Sequence, residues 1–307
     1  MNKQLWMLPL AGLMMASCST VSMTGRKQLN LVSESEILSA SLSEYQSYMQ
    51  SAKVSKDAQA TTIVKNVASR IAEAAEAYLT VAGQTDDLQN YAWEFNLVDD
   101  AQLNAFCMPG GKIVVYTGML NLIGNGADRD DELAAVIGHE VGHAIAKHGQ
   151  ERASQQLLAS MGSSVLGVAI AGKSEATQQA VALAYGLGTE YGALLPFSRK
   201  HELEADYIGI VLATIAGYDA NAAVTLWQKM AANSTNSTAT FMSTHPSSSQ
   251  RISQLQKDIP NVKAQYGAAG EATKAAHGQK TSTKSSSSKT KSTTTKSSSK
   301  SSGYKIG

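Results

Sequence analysis

His139-Glu140-Val141-Gly142-His143 restricts this chain more than any other segment. On a helix, residues i and i+4 share one face, so the two imidazoles can reach a single ion. Glu140, beside the first imidazole, can reach a water on that ion. The flanks fit a helix. Asp128, Asp130, Asp131 and Glu132 lie near its start, where the helix dipole favours anions. Lys147 and His148 lie near its end, with Gly149 as the stop. Leu133, Val136, Ile137, Val141 and Ile145 form the apolar face.

Catalytic zinc takes three protein ligands and keeps a fourth position open, so two histidines leave one ligand to find. His148 lies nine residues beyond His139, about half a turn round a continuous helix, and faces away. A second candidate lies in the polar segment from Ser198 to Asp206, which runs into the apolar Ile208 to Ile215. There Glu202 and Asp206 stand at i and i+4. Glu202 suits the third ligand, and Asp206 suits a hydrogen bond that fixes the tautomer of a ligating imidazole. Glu204 points elsewhere on that helix, as a surface or structural carboxylate. The third candidate is His245, in Thr244-His245-Pro246.

Composition excludes other classes. Of 307 residues 43% are apolar and 17% charged, which is enough for a sizeable core. Two cysteines, Cys18 and Cys107, exclude a disulfide framework and a four-cysteine zinc site. With 26 basic and 25 acidic residues, nothing points to a nucleic-acid partner. The balance is uneven along the chain, however. Lys274 to Lys305 holds eight lysines and no acid, leaving 18 basic against 25 acidic residues elsewhere.

Residues 1–17 have a weakly positive start at Lys3, an apolar stretch from Leu5 to Ala16 and small residues before Cys18. This reads as a secretory signal. The placement of Cys18 resembles a bacterial lipoprotein signal, which would leave a lipid on that cysteine. Ser19 after it implies the outer membrane. Residues 18–32 are then expected to be a lipidated tether. Cys107 is expected to be buried.

The rest divides into a domain over 33–262 and a Ser/Thr/Lys-rich tail, expected to be disordered, over 268–307. Ser33 and Glu36 have capping-box spacing before the periodic Leu38, Leu42, Tyr45 and Met49. Val64, Val67, Ile71, Ala75 and Tyr78 mark a second helix. Trp93, Phe95 and Leu97 alternate as a strand. Pro109-Gly110-Gly111 is a turn before a short strand, Ile113 to Tyr116. Helical patterns dominate from Thr117 to about Lys257, and the apolar Leu157 to Ala171 reads as a buried hairpin. The class is α+β, mainly helical, with a small sheet.

His-Glu-Val-Gly-His followed some sixty residues later by Glu202-Leu-Glu-Ala-Asp206 resembles the HtpX and CAAX-prenyl-protease type of zinc metallopeptidase, the small gluzincins. The segment Asn104 to Leu120 is similar to the one that precedes that family's active-site helix. With the leader, the chain looks like the periplasmic lipoprotein branch typified by LoiP and BepA. The resemblance implies a zincin-like domain with one zinc on His139, His143 and Glu202, and Glu140 as general base. It also implies that Ile113, Val114, Val115 and Tyr116 form an edge strand for extended substrate. His245 and Arg251 resemble a late family motif near the site. His245 would either donate to the oxyanion or cap the zinc as a fourth ligand; Arg251 would serve the oxyanion or the scaffold.

The implied function is a metalloendopeptidase, bound to the outer membrane and facing the periplasm of a Gram-negative bacterium. Its partners would be misfolded or unassembled envelope proteins. The alternative is a latent or non-proteolytic assembly factor with a zinc site. A tethered structural lipoprotein and a zinc amidase of the cell wall are further readings.

Overall fold

The computed structural model describes residues 18–161, 198–233, 241, 243–245 and 249–289. Strands β1 (Cys18–Thr20) and β2 (Lys27–Leu29) pair antiparallel ahead of α1 (Glu34–Ser51) and α2 (Ala58–Val81). After α3 (Thr85–Leu88) come β3 (Glu94–Val98), β4 (Ala105–Met108), β5 (Lys112–Tyr116) and α4 (Thr117–Ile123). Helices α5 (Arg129–Ile145), α6 (His148–Met161), α7 (Arg199–Ile215), α8 (Ala222–Ala232) and α9 (Ser249–Lys289) follow. The class is α+β, as expected. No helix among the described residues is long and apolar enough to cross a membrane.

Local signals start the elements where the sequence placed them. The Ser33 side chain accepts from Glu36 N–H and the Glu36 carboxylate takes Ser33 N–H, so the capping box opens α1. Gly110 and Gly111, both at positive φ, turn β4 into β5. Val64, Ile71, Leu97, Ile113, Leu133, Ile137, Ile208, Leu212 and Leu226 join in one buried core. Helix α5 runs through it, buried from Glu132 to His143.

The close approach of α5 to α7 is set by residues without side chains. A Cβ on Gly138 would stand 2.9 Å from Gly209 O, and one on Gly209 would stand 2.8 Å from His139 N. A Cβ on Gly142 would likewise stand 2.9 Å from Ala205 O. The two helices thus meet backbone to backbone, which brings their short polar strips within ligand distance of each other.

Four expectations are corrected. Strand β5 is not an edge: the order is β3-β5-β4, with β3 parallel and β4 antiparallel to it. Ile113, Val114 and Val115 are fully buried and Tyr116 nearly so, so their hydrophobicity reflects a central strand. The edge beside α5 is β4. Second, α5 does not run to Gly149. It ends at Ile145, Lys147 takes φ 54°, and His148 begins α6.

Third, residues 18–32 are not a loose tether. Val21 and Val32 are each 2% exposed, and the β1–β2 hairpin packs on the domain. Fourth, α9 passes residue 268 and continues to Lys289. Gly270 lies against the Thr214 carbonyl, and His277 Nε2 is 3.2 Å from Glu73 Oε2. Low complexity hid this contact, because glycine and alanine suit close helix packing as well as disorder. Of the expected hairpin over 157–171, the part to Met161 belongs to α6 and the remainder lies outside the described residues.

Candidate metal centre

His139 and His143 project from α5, Glu202 and Asp206 from α7, and Arg251 from α9; His245 follows Phe241, whose carbonyl accepts its N–H at 2.9 Å. One ligand atom from each of His139, His143, Glu202 and His245 lies within 4.8 Å of the others, and all four residues are buried. His139 Nε2 is 3.1 Å from His143 Nε2 and 3.3 Å from His245 Nδ1. Glu202 Oε1 is 3.4 Å from His143 Nε2 and 3.3 Å from His245 Nδ1, without a well-formed hydrogen bond.

The far sides of the two α5 imidazoles explain why these atoms converge. A carboxylate only accepts, so the 2.9 Å contact of Asp206 Oδ1 with His139 Nδ1 puts the proton on Nδ1. His143 Nδ1 is 2.9 Å from His148 Nδ1, whose Nε2 is 2.9 Å from Glu204 Oε2. Glu204 accepts from His148 Nε2–H, which leaves His148 Nδ1 as acceptor and His143 Nδ1–H as donor. Both Nε2 lone pairs then face the Glu202 carboxylate, His143 Nε2 at 3.4 Å from Oε1 and His139 Nε2 at 3.6 Å from Oε2. Buried acceptors turned on one another repel unless a cation lies among them, and imidazole with carboxylate is a zinc donor set. The residues fit the metal.

Arg251 braces this set. Its Nη1 donates to Glu202 Oε2 at 2.6 Å, and its Nε and Nη2 donate to Asp206 at 2.7 and 2.6 Å. The guanidinium lies 3.7 Å over the Trp227 ring, and Trp227 also meets His139 edge-on. Both carboxylates hold the fork, so Arg251 ties α9 to Glu202 and Asp206 of α7. Burial works to raise the Glu202 carboxyl, but His245, His143 and Arg251 hold it well below the usual range.

Glu140 differs from its neighbour carboxylates. Burial dominates and pushes it up from the usual value. Its Oε1 is 3.7 Å from His245 Nε2 and makes no hydrogen bond among the described residues. Cys107, on β4, is buried, and burial together with Glu140 pushes its thiol up, which makes it inert.

The geometry thus gathers His139, Glu140, His143, Glu202, Asp206, His245 and Arg251 at one place and leaves out Ile113 to Tyr116. His148 lies outside the donor set, not because a continuous helix turns it away but because it begins a new helix and turns back onto His143. Glu204 is no surface group; it is 7% exposed and holds that histidine. Trp227 was missed, since nothing in its own helix marks it. The small residues at 138, 142, 205 and 209 were a legible signal for close packing, two pairs at i and i+4.

A model of Peptidase family M48 matches residues 64–259. The mitochondrial metalloendopeptidase OMA1 of Arabidopsis thaliana is 40% identical over 167 residues, which are 54% of this chain and 32% of that protein. The human mitochondrial metalloendopeptidase OMA1 is 30% identical over 250 residues, 78% of this chain and 45% of its own. The beta-barrel assembly-enhancing protease of Yersinia pestis is 28% identical over 175 residues, 56% of this chain and 35% of its own. The chain spans about a third to a half of the length of these relatives.

Proposed function

Given that the chain belongs to peptidase family M48, we propose that it is a zinc-dependent endopeptidase of the bacterial envelope. It is held to the outer membrane by a lipid on Cys18 and removes misfolded or unassembled proteins there. The observation that carries the reading is the position of Glu140: buried beside the donor set and outside it, with burial pushing its carboxyl above the ordinary value. A purely structural zinc site has no need of such a carboxyl. The family match and the relatives named as proteases support it.

Zinc held by His139, His143 and Glu202 would supply Lewis acidity to a scissile carbonyl and acidify a water. The chain supplies the rest. Glu140 takes the proton of the attacking water and returns it to the leaving amine. Asp206 and Arg251 keep His139 and Glu202 from turning away. An extended substrate would add by main-chain hydrogen bonds to β4, the sheet edge beside α5. That mode reads backbone more than side chains and suits unfolded chains.

His245 adds a second feature to the reading. With its Nδ1 in the donor set, it would hold the place that substrate and water need, and in this reading the conformation is a capped one. Cleavage requires His245 to swing out. The test is casein cleavage by the zinc-loaded full chain against Glu140→Gln at equal zinc content. Cleavage lost in the variant with zinc retained supports the reading. Zinc bound but no cleavage by the full chain or by His245→Ala overturns it in favour of an assembly factor.

A further inference from the structure

On the far side of His143 from the donor set lies a second buried polar cluster. It is formed by His148 and Glu151 of α6, His201 and Glu204 of α7, and Thr24 and Arg26 from the loop joining β1 to β2. Glu204 accepts from three donors: the Thr24 hydroxyl on Oε1, and Arg26 Nε at 2.5 Å and His148 Nε2 at 2.9 Å on Oε2. Arg26 Nη1 and Nη2 reach Glu151 at 3.0 and 2.7 Å, and the same Glu151 takes His201 Nε2 at 3.0 Å. The rings of His148 and His201 stack, with centroids 4.4 Å apart.

We propose that Thr24 and Arg26 are positioning residues of the metal centre, a role that rests on the metallopeptidase reading above. They hold the Glu204 carboxylate; Glu204 fixes the proton of His148 on Nε2. The bare Nδ1 of His148 then holds the Nδ1 proton of His143 and turns the Nε2 lone pair of His143 toward the ion. Asp206 does this for His139 in one step, within α7. For His143 the corresponding carboxylate comes from α7, but its orientation is completed from outside the helical body, by a loop residue about 180 positions away in the chain.

Geometry makes Arg26 more than a surface ion pair. Its side chain is 10% exposed, and it reaches both carboxylates in the planar fork that arginine provides. Its own backbone is pinned as well, because Val21 N–H donates to Arg26 O at 2.8 Å. The hairpin that begins at Cys18 therefore ends on the metal centre, and the amino-terminal segment belongs to the site instead of only leading to it.

The test uses the full chain with Arg26→Ala, Arg26→Lys, Thr24→Val and, as a control within the hairpin, Lys27→Ala. Lys27 is exposed, and among the described residues its ammonium donates to Thr20 across the hairpin. Zinc affinity is read by competition with a chelator, and the ligand field by the visible spectrum of the cobalt-loaded protein. Arg26→Ala should weaken zinc about 10- to 100-fold and shift the cobalt bands, as loss of an outer hydrogen-bond partner does. Arg26→Lys should restore charge without the fork and recover only part. Lys27→Ala should change neither readout. An Arg26→Ala protein with unchanged affinity and spectrum, or a Lys27→Ala protein as weak as Arg26→Ala, overturns the proposal. If Arg26→Ala does not fold, Thr24→Val decides: it removes one of three donors at constant shape, and an unchanged spectrum refutes the role. Neither readout depends on peptide cleavage, so failure of the peptidase reading through Glu140→Gln would be seen separately.

Discussion

His245 touches Glu140 and Glu202 with opposite edges of one ring: Nε2 is 3.7 Å from Glu140 Oε1, and Nδ1 is 3.3 Å from Glu202 Oε1. One imidazole thus covers both carboxylates. Phe241 stacks on it at 4.7 Å, and Trp227 stacks on Phe241, so the ring is held by aromatic packing as well as by charge. His245→Ala should keep zinc, because His139, His143 and Glu202 remain. A chain capped about 90% of the time would then cleave casein about tenfold faster. If His245 instead donates to the oxyanion, its loss should cut kcat by about 10²–10³-fold. Steady-state cleavage by the two proteins at equal zinc content separates these.

Arg251 joins Glu202 and Asp206, and all three are nearly or wholly buried. Removing the cation leaves two carboxylates facing each other in a dry site. Arg251→Met should therefore destabilise the metal-free protein by about 3–5 kcal/mol. Arg251→Lys should recover little, since an ammonium cannot serve two carboxylates in one plane. Urea unfolding of the metal-free proteins measures both. A loss below about 1 kcal/mol, the size of a surface pair, would mean that the fork is not what holds the carboxylates.

The centre was largely legible because its chemistry is local. His139, Glu140 and His143 are set by helix periodicity alone, and Glu202 with Asp206 by the same period sixty residues on. The capping box at Ser33 and the turn at Gly110-Gly111 were legible for the same reason. Strand order was not. Ile113 to Tyr116 carries the apolar run of a central strand, but β4, with Ala105 to Met108, is too short to announce itself. The role of Arg26 was out of reach too, since its partners, Glu151 and Glu204, are joined to it only by the fold.

Gly209 faces the backbone of His139 so closely that any side chain must part α5 from α7. A parting of this kind separates His139 from Glu202 and Asp206, the groups that use that spacing. Gly209→Ala should cost about 1–3 kcal/mol as an overpacking change. It should also weaken zinc, which a loss of stability elsewhere would not do. Gly126→Ala is the matched control, since a Cβ there meets nothing within 4 Å. Thermal unfolding and chelator competition on both proteins would show whether the glycine spaces the ligands or only the core.

Glu151 gives the fold an acid limit that can be separated from the metal. Burial works to raise its carboxyl, but hydrogen bonds from His201 and Arg26 bring it down to about 2 from the ordinary 4.5. Between those values the unfolded chain binds a proton that the folded chain does not. The stabilisation is therefore complete above about pH 4.5 and is lost as pH falls toward 2. Glu151→Gln removes the charge and with it this dependence. The stability difference between the metal-free wild type and Glu151→Gln should be large at pH 6 and should shrink steadily from pH 4.5 to pH 3. Urea midpoints at pH 6, 4.5, 3.5 and 3 measure it. A difference that stays constant over that range would mean that Glu151 titrates alike in both states, and that Arg26 and His201 do not hold it.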